Sequence, residues 1–195
     1  AKFLISAFAD EAHNGINGQV EALKRNGLFC IEPRAMNLGP VIAKTDEELA
    51  EIKRRFDAEG IIVPSFGSPI GKYKITDDFE PHLELFRRAL YVCRVFGAKR
   101  MRIFSFFVEQ DKLDEYRDEV IRRMKILVAE AAEAGVTLCH ENEGFEGSLS
   151  KAARMSVALL SSLSSCMPKT SITLLRSPHA SIPVNGIPSA FITPP

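Results

Sequence analysis

A repeated junction between a helix and a strand is the sequence feature that most constrains the fold. Four times, an amphipathic stretch ends at a glycine and a short apolar run follows at once, at Gly27, Gly60, Gly97 and Gly135. Helices often end in a left-handed backbone conformation that costs glycine nothing. The glycines are 33, 37 and 38 residues apart, which is close to the length of one strand, one helix and two loops. The chain is therefore predicted to repeat a βα unit.

The repeat predicts a parallel sheet with helical crossovers. The helices are expected over 14–26, 46–59, 78–96 and 111–134, with Thr45 as the N-cap of the second. The strands are expected near 3–8, 29–33, 61–65, 100–104 and 136–140. They are nearly all apolar, as in parallel strands that are covered on both faces. An antiparallel pair among the first four strands would contradict this prediction.

A barrel is favoured over an open doubly wound sheet. The turn after the first strand, residues 8–12, carries no glycine, whereas a dinucleotide-binding sheet would have GxGxxG there. Polar residues follow each predicted strand, and (βα)8 barrels carry their active sites at that carboxyl-terminal face. The predicted fold class is α/β, of the (βα)8 type, incomplete, with five to six βα units.

Charge and cysteine usage limit the classes of partner. The net charge is zero, so no basic excess attracts nucleic acid or an anionic membrane. The longest apolar stretches are far shorter than the roughly 20 residues of a spanning helix. The 4 cysteines lie far apart without CxxC spacing, which fits a reducing cytoplasm. We expect a cytoplasmic protein with a small-molecule partner, and the oligomeric state is left open.

The composition changes near residue 147. All 25 acidic residues lie within 1–146, whereas the last 49 residues have 4 cationic residues and 6 of the 11 prolines. Such a composition packs poorly. We expect a partial barrel domain over 1–147 and a divergent, acid-free, poorly ordered tail over 148–195.

Two short motifs resemble nucleotide-binding sequences. Residues 10–13 spell DEAH, but only nine residues precede them, which leaves no room for a phosphate-binding loop. Residues 67–73 resemble such a loop, yet three residues instead of four separate the glycines, and Tyr73 stands where a Ser or Thr is needed. The segment is predicted to be either an ordinary loop or a loop that presents backbone N–H groups and Lys72 to a phosphate or carboxylate.

The polar cluster at 139–143 is the strongest candidate site. Strand alternation sends Glu141 to the face opposite His140, and we assign Glu141 to the barrel mouth. A carboxylate there could bind a divalent cation and move protons. His140 fits a hydrogen-bonded, half-buried histidine better than a ligand, and Glu143 fits a solvated acidic loop.

Five motifs together resemble the sugar phosphate isomerase/epimerase group of xylose-isomerase-like TIM barrels over about residues 2–147. They are SAFADE at 6–11, IEPR at 31–34, SFGSPIGK at 65–72, RIFSFF at 102–107 and LCHENE at 138–143. The resemblance implies metal-assisted isomerisation or epimerisation of a sugar or sugar phosphate, with Mn²⁺, Mg²⁺, Co²⁺ or Zn²⁺. Glu141 would be both metal ligand and acid/base. The implied substrate-binding residues are Glu32, Arg34, Ser65, Lys72, Ser105 and His140.

The tail departs from that family. Of four family metal ligands only Glu141 has a match, and the acidic helix and Phe-Asp-Pro-like strand expected after residue 147 are missing. Suitable codons for residues 175–178, read one base later, would encode Phe-Asp-Pro, so a shifted reading frame and a genuine divergent tail both stay open. We expect a chain that is marginally folded, impaired in catalysis and without its metal. The alternative is a non-catalytic sugar- or phosphate-binding barrel remnant or an inactive fragment.

Overall fold

The computed structural model describes residues 4–141 and 173–175 of the 195-residue chain. Its four α-helices confirm the four predicted ones, with ends shifted by a few residues. They are α1 (Ile16–Arg25), α2 (Asp46–Ala58), α3 (Phe79–Phe96) and α4 (Leu113–Glu133). The strands are β1 (Ser6–Ala7), β2 (Cys30–Ile31), β3 (Ala35–Met36), β4 (Gly39–Pro40), β5 (Ser65–Gly67), β6 (Arg100–Ile103), β7 (Thr137–Glu141) and β8 (Thr173–Leu175).

The strands of the βα units run parallel, as predicted. β1 pairs with β2, and β5, β6, β7 and β8 form a four-stranded parallel sheet in that order. The two sheets meet where Ile62 forms a parallel bridge with Cys30. There the Ile62 N–H donates to the Phe29 carbonyl at 2.9 Å, and the Ile62 carbonyl accepts from the Ile31 N–H at 3.0 Å. The result is the incomplete barrel of a TIM-barrel fold.

The third strand lies further along the chain than predicted. The expected strand covered 61–65, whereas β5 spans Ser65–Gly67 and residue 62 pairs separately. Pro64 stands between these two pairings. Because proline has no N–H, it cannot donate to a neighbouring strand. The chain therefore pairs with β2 before Pro64 and with β6 after it. As a result, Ser65 begins the strand instead of ending it.

An antiparallel hairpin follows β2 and was not predicted. Its strands β3 and β4 pair through Ala35 with Pro40 and Met36 with Gly39. The turn residues Asn37 and Leu38 both have positive φ, 48° and 62°, the combination that a two-residue hairpin turn requires. The hairpin lies outside the five predicted strands and leaves the parallel order intact.

Local signals account for the helix ends. The Thr45 hydroxyl accepts from the Glu48 N–H at 3.2 Å, and the Glu48 carboxylate accepts from the Thr45 N–H at 2.8 Å. This capping box satisfies two N–H groups that would otherwise lack helical partners. At the C-terminal end of a different helix, α3, the capping residue Gly97 has φ of +71°. Glycine adopts this left-handed conformation without strain.

The core lies between the helices and the outer face of the sheet. Phe56, Phe66 and Phe86 are fully buried there, and Met101 and Leu127 join them. β8 is a sixth parallel strand and pairs with β7; it agrees with the predicted five to six βα units, although its position in the sequence was not predicted. The rest of the expected tail lies outside the described residues. Across residues 4–141 and 173–175, each helix is too short or too polar to span a lipid bilayer.

Candidate active site

Six side chains meet where the parallel strands end, and we call them the strand-end cluster. They come from the ends of β1 and β2, from the loop after β5, and from β6, its following loop and β7. Its members are Phe8, Arg34, Lys72, Arg102, Phe104 and Glu141. Because each is carried at or near a strand end, the sheet fixes their relative positions.

Arg102 and Glu141 form the charged centre of the cluster. Arg102 Nη1 lies 3.4 Å from Glu141 Oε2, and the two side chains are 9% and 30% exposed. Arg102 is in register with Cys139, so Glu141, two residues further along β7, lies on the same face of the sheet. Arg102 is also held by Ser68, whose carbonyl accepts from Arg102 Nη2 at 3.1 Å and whose hydroxyl donates to the Arg102 carbonyl at 2.5 Å.

Aromatic rings alternate with cations across the strand ends. The Phe8 ring has the guanidinium carbons of Arg34 and Arg102 at 5.0 and 5.1 Å from its centroid. The Phe104 ring has Arg102 at 4.6 Å and the Lys72 ammonium at 4.4 Å. Cations at these distances are attracted by the negative ring faces. Contacts with the two rings therefore help to fix the positions of three cationic side chains.

Arg34 is fixed by two acidic residues that follow β1. Its Nε lies 2.8 Å from Asp10 Oδ2, and its Nη2 lies 3.2 Å from Glu11 Oε1. The hydrogen bond to Asp10 raises the pKa of the Arg34 guanidinium further above its usual value. The predicted polar residues at the ends of the first two strands thus lie together, with Asp10 and Glu11 facing Arg34.

Glu32 lies beside the same part of the sheet. The Ser6 hydroxyl donates to Glu32 Oε1 at 2.5 Å. Burial raises the pKa of the Cys139 thiol to about 11; the charge of Arg100 opposes this rise and the charge of Glu32 adds to it. The hydrogen bond places Glu32 beside Ser6 of β1.

The loop after β5 has no backbone donors to offer a phosphate, which corrects one of the two expectations for residues 67–72. Each of its five N–H groups already has an acceptor within the fold, at 3.0–3.3 Å. Gly67 donates to the Pro33 carbonyl, Ser68 to Phe66, Ile70 to the Ser68 hydroxyl, Gly71 to His82 Nε2, and Lys72 to Pro69. Lys72 is the residue of this loop whose side-chain charge lies in the cluster.

Three predicted site residues lie apart from the cluster. His140 Nε2 and the Ser105 hydroxyl are 3.2 Å apart. Strand alternation places His140 on the face that carries Leu138, which is part of the hydrophobic core. Burial lowers the pKa of His140 to about 4, so its ring is neutral at pH 7. Ser65 is buried and pairs with Arg100, the first residue of β6, so it lies at the opposite end of the strands.

The described residues do not fit a divalent metal on their own. Within 4–141 and 173–175, no three His, Cys, Asp or Glu side chains come together as a ligand group. Glu141 is a suitable oxygen donor, but it forms an ion pair with the Arg102 guanidinium. A protein site for Mg²⁺ or Zn²⁺ needs several ligands, so Glu141 could be at most one of them.

Phe8, Arg102 and Phe104 lie within the motifs at 6–11 and 102–107, but the sequence alone gives them no role. A signal for Arg102 existed, because in β6 it lies between the apolar residues Met101 and Ile103 and alternates with them in the sequence RMRI. Strand alternation turns such a residue away from the core. Phe8 and Phe104 gave no comparable signal, since aromatic residues at strand ends are usually read as packing.

Comparisons with known proteins agree with this geometry. The family model described as "Xylose isomerase-like TIM barrel" matches residues 20–164. No curated protein matches the chain in sequence.

Solved structures match over most of the chain. A xylose isomerase-like TIM barrel protein from Mycobacterium smegmatis in complex with magnesium is 16% identical, with a TM-score of 0.62 over 90% of this chain and 63% of its own. The probable 3-DHS dehydratase AsbF from Bacillus anthracis is 15% identical, with a TM-score of 0.65 over 88% and 62%. An L-ribulose 3-epimerase is 18% identical, with a TM-score of 0.62 over 90% and 59%.

The chain thus spans about three fifths of the length of the solved structures it matches. At these identities the likeness of the structures establishes the fold, and the family model, which covers most of the chain, establishes membership. This chain belongs to the xylose isomerase-like TIM barrel family.

Proposed function

We propose that the strand-end cluster is the site of sugar isomerisation or epimerisation, with Glu141 as the carboxylate that moves the proton. The observation that supports this proposal is the contact of Glu141 with Arg102, 3.4 Å apart on adjacent strands. Active sites of this fold class lie at that end of the strands. The match to an L-ribulose 3-epimerase structure adds support from the fold alone.

The chemistry needs a base and a positive charge close together. Glu141 removes the proton from the carbon next to the sugar carbonyl, and the electrons of that C–H bond move to form an enediolate. Negative charge then develops on the carbonyl oxygen, where Arg102 stabilises it. Return of the proton from Glu141 to the former carbonyl carbon, with transfer of the hydroxyl proton to the former carbonyl oxygen, gives the isomer. Delivery of a proton from a solvent molecule to the opposite face of the carbon that lost its proton gives the epimer, and Glu141 then returns the abstracted proton to solvent.

An unphosphorylated sugar fits the site better than a sugar phosphate. The N–H groups of 67–72 are all engaged within the fold, so they cannot surround a phosphate. Arg34 and Arg102 already face carboxylates. We propose that Glu32, Arg34 and Lys72 bind substrate hydroxyls, whereas the proposed roles of Ser65, Ser105 and His140 lack support from their positions.

The metal stays a proposal that rests on the family. One matched structure contains magnesium, and a divalent cation would polarise the sugar oxygens. In this chain Glu141 would be its ligand. Because the described residues do not complete such a site, the steps above use only Glu141 and Arg102.

A non-catalytic sugar-binding barrel remnant is the second candidate function. The observation that favours it is the same missing ligand group within 4–141 and 173–175. A remnant would keep the hydroxyl-binding side chains and lack a productive proton transfer.

Deuterium incorporation separates the two candidates. The purified chain is incubated in D₂O with Mn²⁺ and a panel of ketopentoses and ketohexoses, and exchange beside the carbonyl is followed by NMR. We expect exchange with at least one sugar and a loss of at least about 100-fold for Glu141→Gln, the lower range for an acid/base group. Glu51→Gln, at an exposed position on α2, is the matched control. Sugar binding without any exchange would support the remnant, and exchange that survives Glu141→Gln would refute the assignment of the base.

A further inference from the structure

We propose that His82 is a positioning residue that holds the loop 67–73 closed and thereby places Lys72 at the strand-end cluster. The evidence that His82 holds the loop comes from contacts described below. The proposal that Lys72 binds a substrate rests on the function proposed above.

His82 reaches the loop from the first turns of α3. It is 2% exposed, and its Nε2 accepts a hydrogen bond from the Gly71 N–H at 3.1 Å. Since Nε2 is the acceptor, the ring proton is on Nδ1, and the ring is neutral. Nδ1 is buried without a hydrogen-bond partner among the described residues. Among the described residues, the hydrogen bond from Gly71 is thus the polar contact of the His82 ring. This bond links α3 to the loop.

Gly71 is held tightly on its other side. The Phe104 N–H donates to the Ile70 carbonyl at 2.7 Å. Gly71 has φ of +90°, and a Cβ placed on it would lie 1.9 Å from the Phe104 carbonyl oxygen. The next residue, Lys72, has its ammonium 4.4 Å from the centroid of the Phe104 ring. The backbone that His82 holds therefore leads directly to the cation of the cluster.

The surroundings of His82 keep it neutral. The Tyr73 ring stacks on it at 4.7 Å, and the Phe106 and Phe79 rings lie at 5.5 and 6.4 Å. Burial, with a smaller contribution from the positive charge of Arg123 on α4, lowers the pKa of His82 to about 4. Arg123 is itself paired with Glu119 at 2.7 Å. Tyr73 and Arg123 are thus the titratable and charged groups that face His82.

Protonation would turn the acceptor into a donor. An imidazolium carries a proton on both nitrogens and accepts from neither. It would also place a second positive charge beside Arg123 in a buried site. We therefore expect the Gly71 bond to break when His82 is protonated, and the loop to open locally.

Two variants separate the bond from the bulk of the ring. His82→Gln keeps an oxygen acceptor near the position of Nε2, and His82→Leu keeps apolar volume without an acceptor. Amide hydrogen exchange of residues 69–73 reports the opening of the loop, and acetylation of Lys72 at pH 7.5, read by mass spectrometry, reports its placement. Amides of α1 serve as the reference for global stability.

We expect His82→Leu to raise exchange at Gly71 at least tenfold and Lys72 acetylation severalfold, while His82→Gln stays within threefold of wild type. Between pH 7 and pH 4, wild type should lose Gly71 protection before α1 does, and His82→Gln should not. Equal exchange in the two variants, or acid opening that persists in His82→Gln, would overturn the proposal. If His82→Leu unfolds globally, the comparison of wild type with His82→Gln across pH decides alone. None of these readouts requires a sugar, so they stand or fall separately from the proposed reaction.

Discussion

Gly71→Ala tests how closely the loop approaches β6. The backbone at Gly71 has φ of +90°, and the added Cβ would meet the Phe104 carbonyl oxygen at 1.9 Å. That neighbour is backbone and cannot rotate away. The loop must therefore shift, and it would lose the Phe104 N–H bond to Ile70 and the Gly71 N–H bond to His82.

The expected cost has two parts. A positive φ at a non-glycine residue costs about 1 kcal/mol, and two lost hydrogen bonds cost about 1 kcal/mol each. We expect the free energy of unfolding to fall by about 3 kcal/mol. Gly97→Ala is the matched control, because Gly97 also has a positive φ, +71°, but an added Cβ there meets nothing within 4 Å. It should lose about 1 kcal/mol, from the backbone conformation alone.

Urea denaturation followed by circular dichroism at 222 nm measures both variants. The reasoning requires Gly71→Ala to be less stable than Gly97→Ala by about 2 kcal/mol. Equal losses in the two variants would refute it, since they would mean that the loop does not pack against the Phe104 backbone.

Further perturbations test the other contacts. Burial lowers the pKa of His82 and of His140 from the usual 6.5 to about 4, so stability is full above pH 6.5 and falls as pH drops to 4. Each should contribute a loss of about 3 kcal/mol, measurable by urea titration at several pH values; an unchanged stability at pH 4 would contradict both. Thr45→Ala removes the capping box with Glu48 and should cost about 1 kcal/mol in the same assay, and no loss would mean that the cap does not form. Arg102→Lys loses the planar fork and the ring stacking, so the deuterium exchange should fall at least tenfold; undiminished exchange would remove Arg102 from the site.

The elements that sequence predicted well depend on neighbours along the chain. The helices follow from the spacing of apolar residues and from local caps such as Thr45 and Gly97. The face of Glu141 followed from strand alternation, and the structure places Glu141 beside Arg102. The parallel order followed from the length of each repeat, which leaves room for a crossover helix.

Two differences from the prediction have causes that lie in the tertiary structure. The third strand is displaced because Pro64, which has no N–H to donate, lies between the residue that pairs with β2 and the residues that pair with β6. Which strands are its partners depends on the order of strands in the sheet. The hairpin after β2 places Leu38 at φ of 62°, a conformation that leucine rarely favours. Contacts of the hairpin with α1 hold it there: the Asn37 side chain accepts from the Ile16 N–H at 3.2 Å, and Gln19 donates to the Ala35 carbonyl at 2.9 Å.

By itself, the sequence determined the repeated βα units, the parallel sheet and the end of the sheet at which polar residues collect, because these follow from local periodicity and caps. Only the tertiary structure decided what those residues do there. It stacks Arg34 and Arg102 on Phe8 and turns His140 towards Ser105. It also gives every N–H group of the loop at 67–72 an acceptor inside the fold. These contacts join residues from separate βα units, so their distances are set by the pairing of the strands and the packing of the helices against them.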